Sequence, residues 1–141
     1  MIKVKDIMCE HPIKIRESVP LGQVVHLMLR YQVHGILVVA DGNEEELTGI
    51  FTMTDLLRIM DTVLAGGKQR SSQLKKISSF PLGKVAKKRV ITLQKEDRVV
   101  KAIATMHKKQ VHTIPIMDGE TLVGVLGRHD ILNVAFNSLG E

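Results

Sequence analysis

Apolar and polar positions fall into the same order twice along this chain. Pro12-Ile13-Lys14-Ile15 is a short run rich in β-formers, which predicts a strand. Leu21, Val24, Val25, Met28 and Leu29 follow the i, i+3, i+4, i+7, i+8 spacing, which predicts an amphipathic helix from about Pro20 to Tyr31. Gly35-Ile36-Leu37-Val38-Val39 then reads as a buried strand, Asp41-Gly42 as a turn, and Leu47-Thr48-Gly49-Ile50-Phe51 as the returning strand. A second helix is expected after Thr52, carrying Leu56, Leu57, Met60, Val63 and Leu64.

Adding 78 to each position from Val4 to His34 reproduces the pattern from Leu82 to His112 without a gap. Ile13 falls on Ile91, Val25 on Ile103, Met28 on Met106 and His34 on His112. After the next strand the offset becomes 75, because Ala40 to Glu46 is a longer connection than Asp118-Gly119-Glu120. A loop tolerates such a change of length. The second copy supplies a strand at Val90-Ile91-Thr92-Leu93 and a helix through Val99, Ala102, Ile103 and Met106. Strands at Ile114-Pro115-Ile116-Met117 and Leu122 to Leu126 follow, then a helix with Ile131, Leu132, Ala135, Phe136 and Leu139.

The expected architecture is therefore α+β, a tandem duplication of a β-α-β-β-α unit. Three strands and two helices bury little alone, so the two pseudo-symmetric units are expected to pack sheet to sheet. The division read from the sequence is residues 1–64, a flexible connector over 65–80, and residues 81–141.

Composition narrows the picture. Hydrophobic residues make up 44% and aromatic residues 3%, with no Trp, so the core must be aliphatic and filled by Met. No apolar run approaches the roughly 18 residues that cross a bilayer. The first residues lack the apolar stretch of a signal peptide. The lone Cys9 cannot form an internal disulfide, and a cytoplasmic protein is the expectation. The formal charge of +5 is concentrated: Lys68, Arg70, Lys75, Lys76, Lys84, Lys87, Lys88 and Arg89 lie between Ala65 and Val90 with no acidic residue among them. Such a run can serve a phosphate-bearing ligand, a nucleic acid, an acidic surface, or plain solvation.

Candidate chemistry sits where a strand meets a helix. Thr52 stands at a helix start and Asp55 three residues on, a pair that can cap reciprocally. The same terminus attracts anions, and a carboxylate beside it suits a ribose diol. Gly124-Val125-Leu126-Gly127-Arg128-His129-Asp130 repeats the arrangement 75 residues downstream of Gly49-Ile50-Phe51-Thr52-Met53-Thr54-Asp55.

Two such units, each with a Gly-aliphatic strand end followed by an Asp, resemble the CBS-domain pair, or Bateman module. The resemblance runs from about Val4 to Leu139 and leaves no catalytic domain over, as in a free-standing pair. It implies a regulatory module that binds adenosine-type nucleotides (AMP, ADP, ATP or S-adenosylmethionine) in clefts between the units and signals to a partner, commonly as a homodimer. No further cofactor is implied. By the same resemblance Asp55 and Asp130 would hold ribose hydroxyls, and Thr52 would reach ribose or phosphate oxygens. Arg128 and His129 would approach phosphates. Ile114 and Pro115 would flank adenine, and Pro12, Ile13, Val90 and Ile91 would line the clefts. The chain departs from the pattern at Gly127, where Thr or Ser is usual, and at Leu37, where the second unit has Pro115.

Other chemistry finds less support. The six histidines lack clustered Cys or carboxylate partners, so no metal site is expected. No nucleophile elbow or Walker-type loop is present, and catalysis is not expected. The alternative is a nucleic-acid-binding or purely structural interaction module built on residues 65–90. Base-stacking aromatics for the former are scarce.

Overall fold

The computed structural model describes residues 2–65 and 70–139. The chain forms two compact bodies, one of Ile13–Arg89 and one of Met1–Pro12 with Val90–Glu141. The first holds β1 (Lys14–Arg16), α1 (Leu21–Tyr31), β2 (Gly35–Ala40), β3 (Asn43–Thr52), α2 (Met53–Ala65), α3 (Arg70–Ser78) and a short α4 (Leu82–Val85). The second begins with a 3-10 turn at Val4–Asp6. It continues through β4 (Leu93–Gln94), α5 (Val99–Lys109), β5 (Thr113–Asp118), β6 (Thr121–Gly127) and α6 (Arg128–Leu139).

Each body carries one three-stranded sheet, ordered β1-β2-β3 or β4-β5-β6, with the first pair parallel and the second antiparallel. A parallel pair needs a crossover, and α1 and α5 supply it. Both helices stop on a left-handed residue, Gln32 at φ 53° and Gln110 at φ 54°, which are repeat equivalents. Ile15, Leu21, Val24, Met28, Ile36 and Phe51 fill one core. Leu93, Ala102, Ile114, Ile116, Leu126 and Ile131 fill the other.

The bodies do not follow the repeats. The segment before β1 packs with the second repeat, and the segment before β4 packs with the first. Leu82 joins the first core and Val4 the second, both fully buried. Backbone pairing is matched: Leu82 N donates to Val19 O (2.8 Å), and Val4 N to Asp97 O (2.8 Å). In the second body this contact also carries charge, with Lys3 and Lys5 on Glu96 at 2.6 and 2.7 Å. Those two ammonium groups, Lys3 first, hold the Glu96 carboxyl down at about 2.

Several expectations need correction. The first strands start later than predicted, so Pro12, Ile13, Val90 and Ile91 lie ahead of β1 and β4. Glu44-Glu45-Glu46 lie within β3, not in a loop. The three extra residues of the first copy are absorbed as irregular pairing beyond Val38, where Val39 faces Leu47 and Ala40 faces Asn43. The connector contains α3, which packs on α1 and α2 and sets the half-buried Ile77 against the first core. Residues 66–69 lie outside the described residues. The apolar helix stripes are also wider than their buried faces: Leu29, Leu57 and Phe136 are exposed. No described helix is long and apolar enough to cross a membrane.

Candidate functional site

The site in the first body starts with a glycine. A Cβ on Gly49 would meet Lys87 O at 2.8 Å, so only glycine lets the 86–87 backbone lie this close to β3. Ile50 and Lys87 then exchange both backbone hydrogen bonds at 2.9 Å. The consequence is positional, since Lys87 is delivered to the junction where β3 becomes α2. At that junction Met53 N is satisfied by His34 O at 2.9 Å.

Thr52 and Asp55 cap one another. Thr52 N and Thr52 Oγ1 both donate to Asp55 Oδ2 at 2.9 Å, and Asp55 N donates to Thr52 Oγ1 at 3.2 Å. The other carboxylate oxygen takes two cations, Arg58 at 3.1 Å and Lys87 at 3.3 Å. Asp55 is 2% exposed and is the one buried charged side chain among the described residues. Burial pushes its carboxyl up, but the Thr52 amide and hydroxyl and the Lys87 ammonium outweigh that and hold it below the usual carboxylate range.

The second body repeats the scaffold with different chemistry. A Cβ on Gly124 would meet Cys9 O at 2.8 Å, and Cys9 and Val125 exchange backbone bonds at 2.9 and 3.0 Å. Gly127 N donates to Asp130 Oδ2 at 2.8 Å, and Arg128 N is satisfied by His112 O at 3.2 Å. Glycine has no hydroxyl to complete the cap, and Asp130 is half-buried rather than enclosed.

The expected site residues thus divide. Thr52 and Asp55 touch, and Ile13 belongs to the same body, exposed, its carbonyl accepting from Leu37 N at 3.4 Å. Asp130, Arg128, His129, Ile114, Pro115, Val90, Ile91 and Pro12 belong to the other. There Arg128 and His129 are exposed, Ile114 and Pro115 are buried in β5, and Pro12, Val90 and Ile91 are half-buried. Pro115 stands where Leu37 stands in the first repeat and has no N–H to give to Ile91. The β4–β5 ladder accordingly starts only at Leu93.

Sequence reasoning missed Arg58 and Lys87. Arg58 is three residues beyond Asp55, a helical neighbour, and was open to inference. No local signal marked Lys87, whose place beside Asp55 depends on its backbone pairing with Ile50. The described residues contain no cluster of three or more His, Cys, Asp or Glu able to hold a metal.

Residues 4–62 and 82–137 each match the CBS domain family. The chain belongs to the CBS-domain family and carries a pair of these domains. A CBS pair is a regulatory, ligand-sensing module and not a catalytic one. The chain is 26% identical over 131 residues to the inosine-5'-monophosphate dehydrogenase of Methanocaldococcus jannaschii, covering 92% of this chain and 23% of that protein. Among three curated relatives it spans 23 to 53% of their length. CBSX2, solved in complex with AMP, has the same fold at TM-score 0.76 and 20% identity, over 97% of this chain and 98% of that one. The CBS domain pair of protein MJ0100, solved with 5-methylthioadenosine and S-adenosyl-L-methionine, aligns at TM-score 0.70 and 18% identity, over 95% and 99% of the two chains.

Proposed function

We propose that this CBS pair senses an adenosine-type nucleotide through its two motif carboxylates. One observation carries the reading: Asp55 and Asp130 are repeat equivalents, each fixed at a helix start by the amide three residues before it. A carboxylate so oriented accepts both hydroxyls of a vicinal diol. The adjacent helix termini favour phosphate, and Arg128 and His129 are exposed beside Asp130. The adenosine ligands of CBSX2 and the MJ0100 pair support the ligand class.

The signal is a population shift. A nucleotide that binds one conformation of the pair more tightly than another moves the equilibrium toward it, and a partner protein reads the change. We take the working form to be a cytoplasmic homodimer, supported by the exposed apolar residues Val100, Ile103, Leu132 and Phe136 on α5 and α6. Two observations weigh against nucleic acid as the ligand. Lys87 is engaged with Asp55, and the Phe80 ring is covered by Lys84 at 4.2 Å, leaving it a poor stacking platform.

Isothermal titration with AMP, ADP, ATP and S-adenosylmethionine tests the reading. At least one is expected to bind, and Asp55→Ala and Asp130→Ala to reduce the binding. No heat from any of the four excludes it. A gel shift with affinity falling steeply in salt would favour the nucleic-acid alternative instead.

A further inference from the structure

The two carboxylates are electrostatically unlike. Both oxygens of Asp55 are occupied, Oδ2 by Thr52 and Oδ1 by Arg58 and Lys87. The repeat equivalents of Arg58 and Lys87 are Asn133 and Cys9, which carry no charge. Among the described residues Asp130 accepts one hydrogen bond, from Gly127 N. A diol arriving at Asp130 meets a carboxylate with open acceptor positions. At Asp55 it meets an ion cluster that is already closed.

Lys87 differs from Arg58 in how it is held. Arg58 belongs to α2, whereas Lys87 is carried on the exchanged segment that is paired to Ile50 through its backbone. Its backbone is fixed while its ammonium, on a half-exposed flexible stem, can swing into water without unfolding anything.

We propose that Lys87 is an internal competitor for the Asp55 carboxylate, so that the two repeats bind a vicinal-diol ligand unequally, Asp130 first and Asp55 only after the ammonium is displaced. This rests on the nucleotide reading above and adds its order of filling. Lys87 is a specificity-determining residue in this scheme: it sets the threshold at which the first repeat responds.

The test uses adenosine, which carries no phosphate for Lys87 to contact, in the full chain. With Asp130→Ala removing the second site, adding Lys87→Met is expected to tighten adenosine binding at the first repeat by about two- to fivefold, the range for releasing one partly exposed ion pair. Raising the salt concentration should tighten binding to the Asp130→Ala protein more than to the Lys87→Met double variant, in which Arg58 alone remains on Asp55. Unchanged or weaker adenosine binding after Lys87→Met, or a first repeat that stays empty without Lys87, overturns the proposal while leaving the nucleotide reading intact. Failure of the unmodified protein to bind adenosine or any of AMP, ADP, ATP and S-adenosylmethionine removes the nucleotide reading itself, and this inference with it.

Discussion

Val4 and Leu82 are repeat equivalents, and each is fully buried in the core formed by the opposite repeat. The chain has exchanged the segments that precede its two first strands. The segment that fills a core is thus covalently part of the repeat it does not fill. The exchange also carries the backbone of Lys87 to β3 and that of Cys9 to β6.

Truncating either anchor should cost the body that receives it. Leu82→Ala is expected to destabilise by about 2 to 5 kcal/mol, and Val4→Ala by about 2 kcal/mol. Hydrogen exchange locates the loss. Leu82→Ala should expose amides of β2 and β3, and Val4→Ala those of β5 and β6.

The close approach at the two motif glycines makes an opposite-sign pair with Gly127. Gly49→Ala and Gly124→Ala push a Cβ to 2.8 Å from a backbone carbonyl, and each is expected to lower stability by about 1 to 3 kcal/mol. Gly127 has room, since its nearest neighbour would be Asp130 Oδ2 at 3.5 Å. Gly127→Thr restores a cap hydroxyl and stiffens the unfolded chain, so it is expected to stabilise by about 1 kcal/mol. Urea unfolding of the three variants checks the signs.

Asp55 gives a defined response to acid. Its carboxyl lies below the usual range when folded, despite the upward push of burial. Its contribution is fully present above the unfolded value of about 4 and is lost as pH falls through the lower folded value. The stability difference between the parent and Asp55→Asn should therefore be flat from pH 7 to about 5 and close only below about 4. Urea unfolding across that range measures it, and a gap that closes near pH 6 would contradict the assignment.

The apolar face of α5 and α6 should govern association. Phe136 is 65% exposed and Val100 69% exposed, too much apolar surface on one helix pair to leave unpartnered at high concentration. Phe136→Glu is expected to shift the light-scattering mass toward the monomer with unchanged circular dichroism.

Much of this was legible in the sequence, for reasons that differ by residue. The duplication, the strand and helix order and the Thr52–Asp55 cap followed from periodicity and spacing, because each depends on neighbours along the chain. The exchange of Val4 and Leu82 did not, since hydrophobic pattern tells that a residue is buried and not in whose core. The helix α3 was hidden by the polar residues around Ile77, whose burial depends on the core it packs against. Lys87 looked like one more cation in a basic run. Only its backbone pairing with Ile50 makes it a partner of Asp55.

The central claim is that the motif carboxylates are where an adenosine nucleotide binds, and thermal unfolding with and without AMP tests it most directly. At about 100 times its Kd, a ligand that binds only the folded state adds about 2.7 kcal/mol. The account expects AMP to raise the Tm of the parent protein by several degrees and to leave the Asp55→Ala, Asp130→Ala double variant unmoved. An equal rise in both proteins would contradict it.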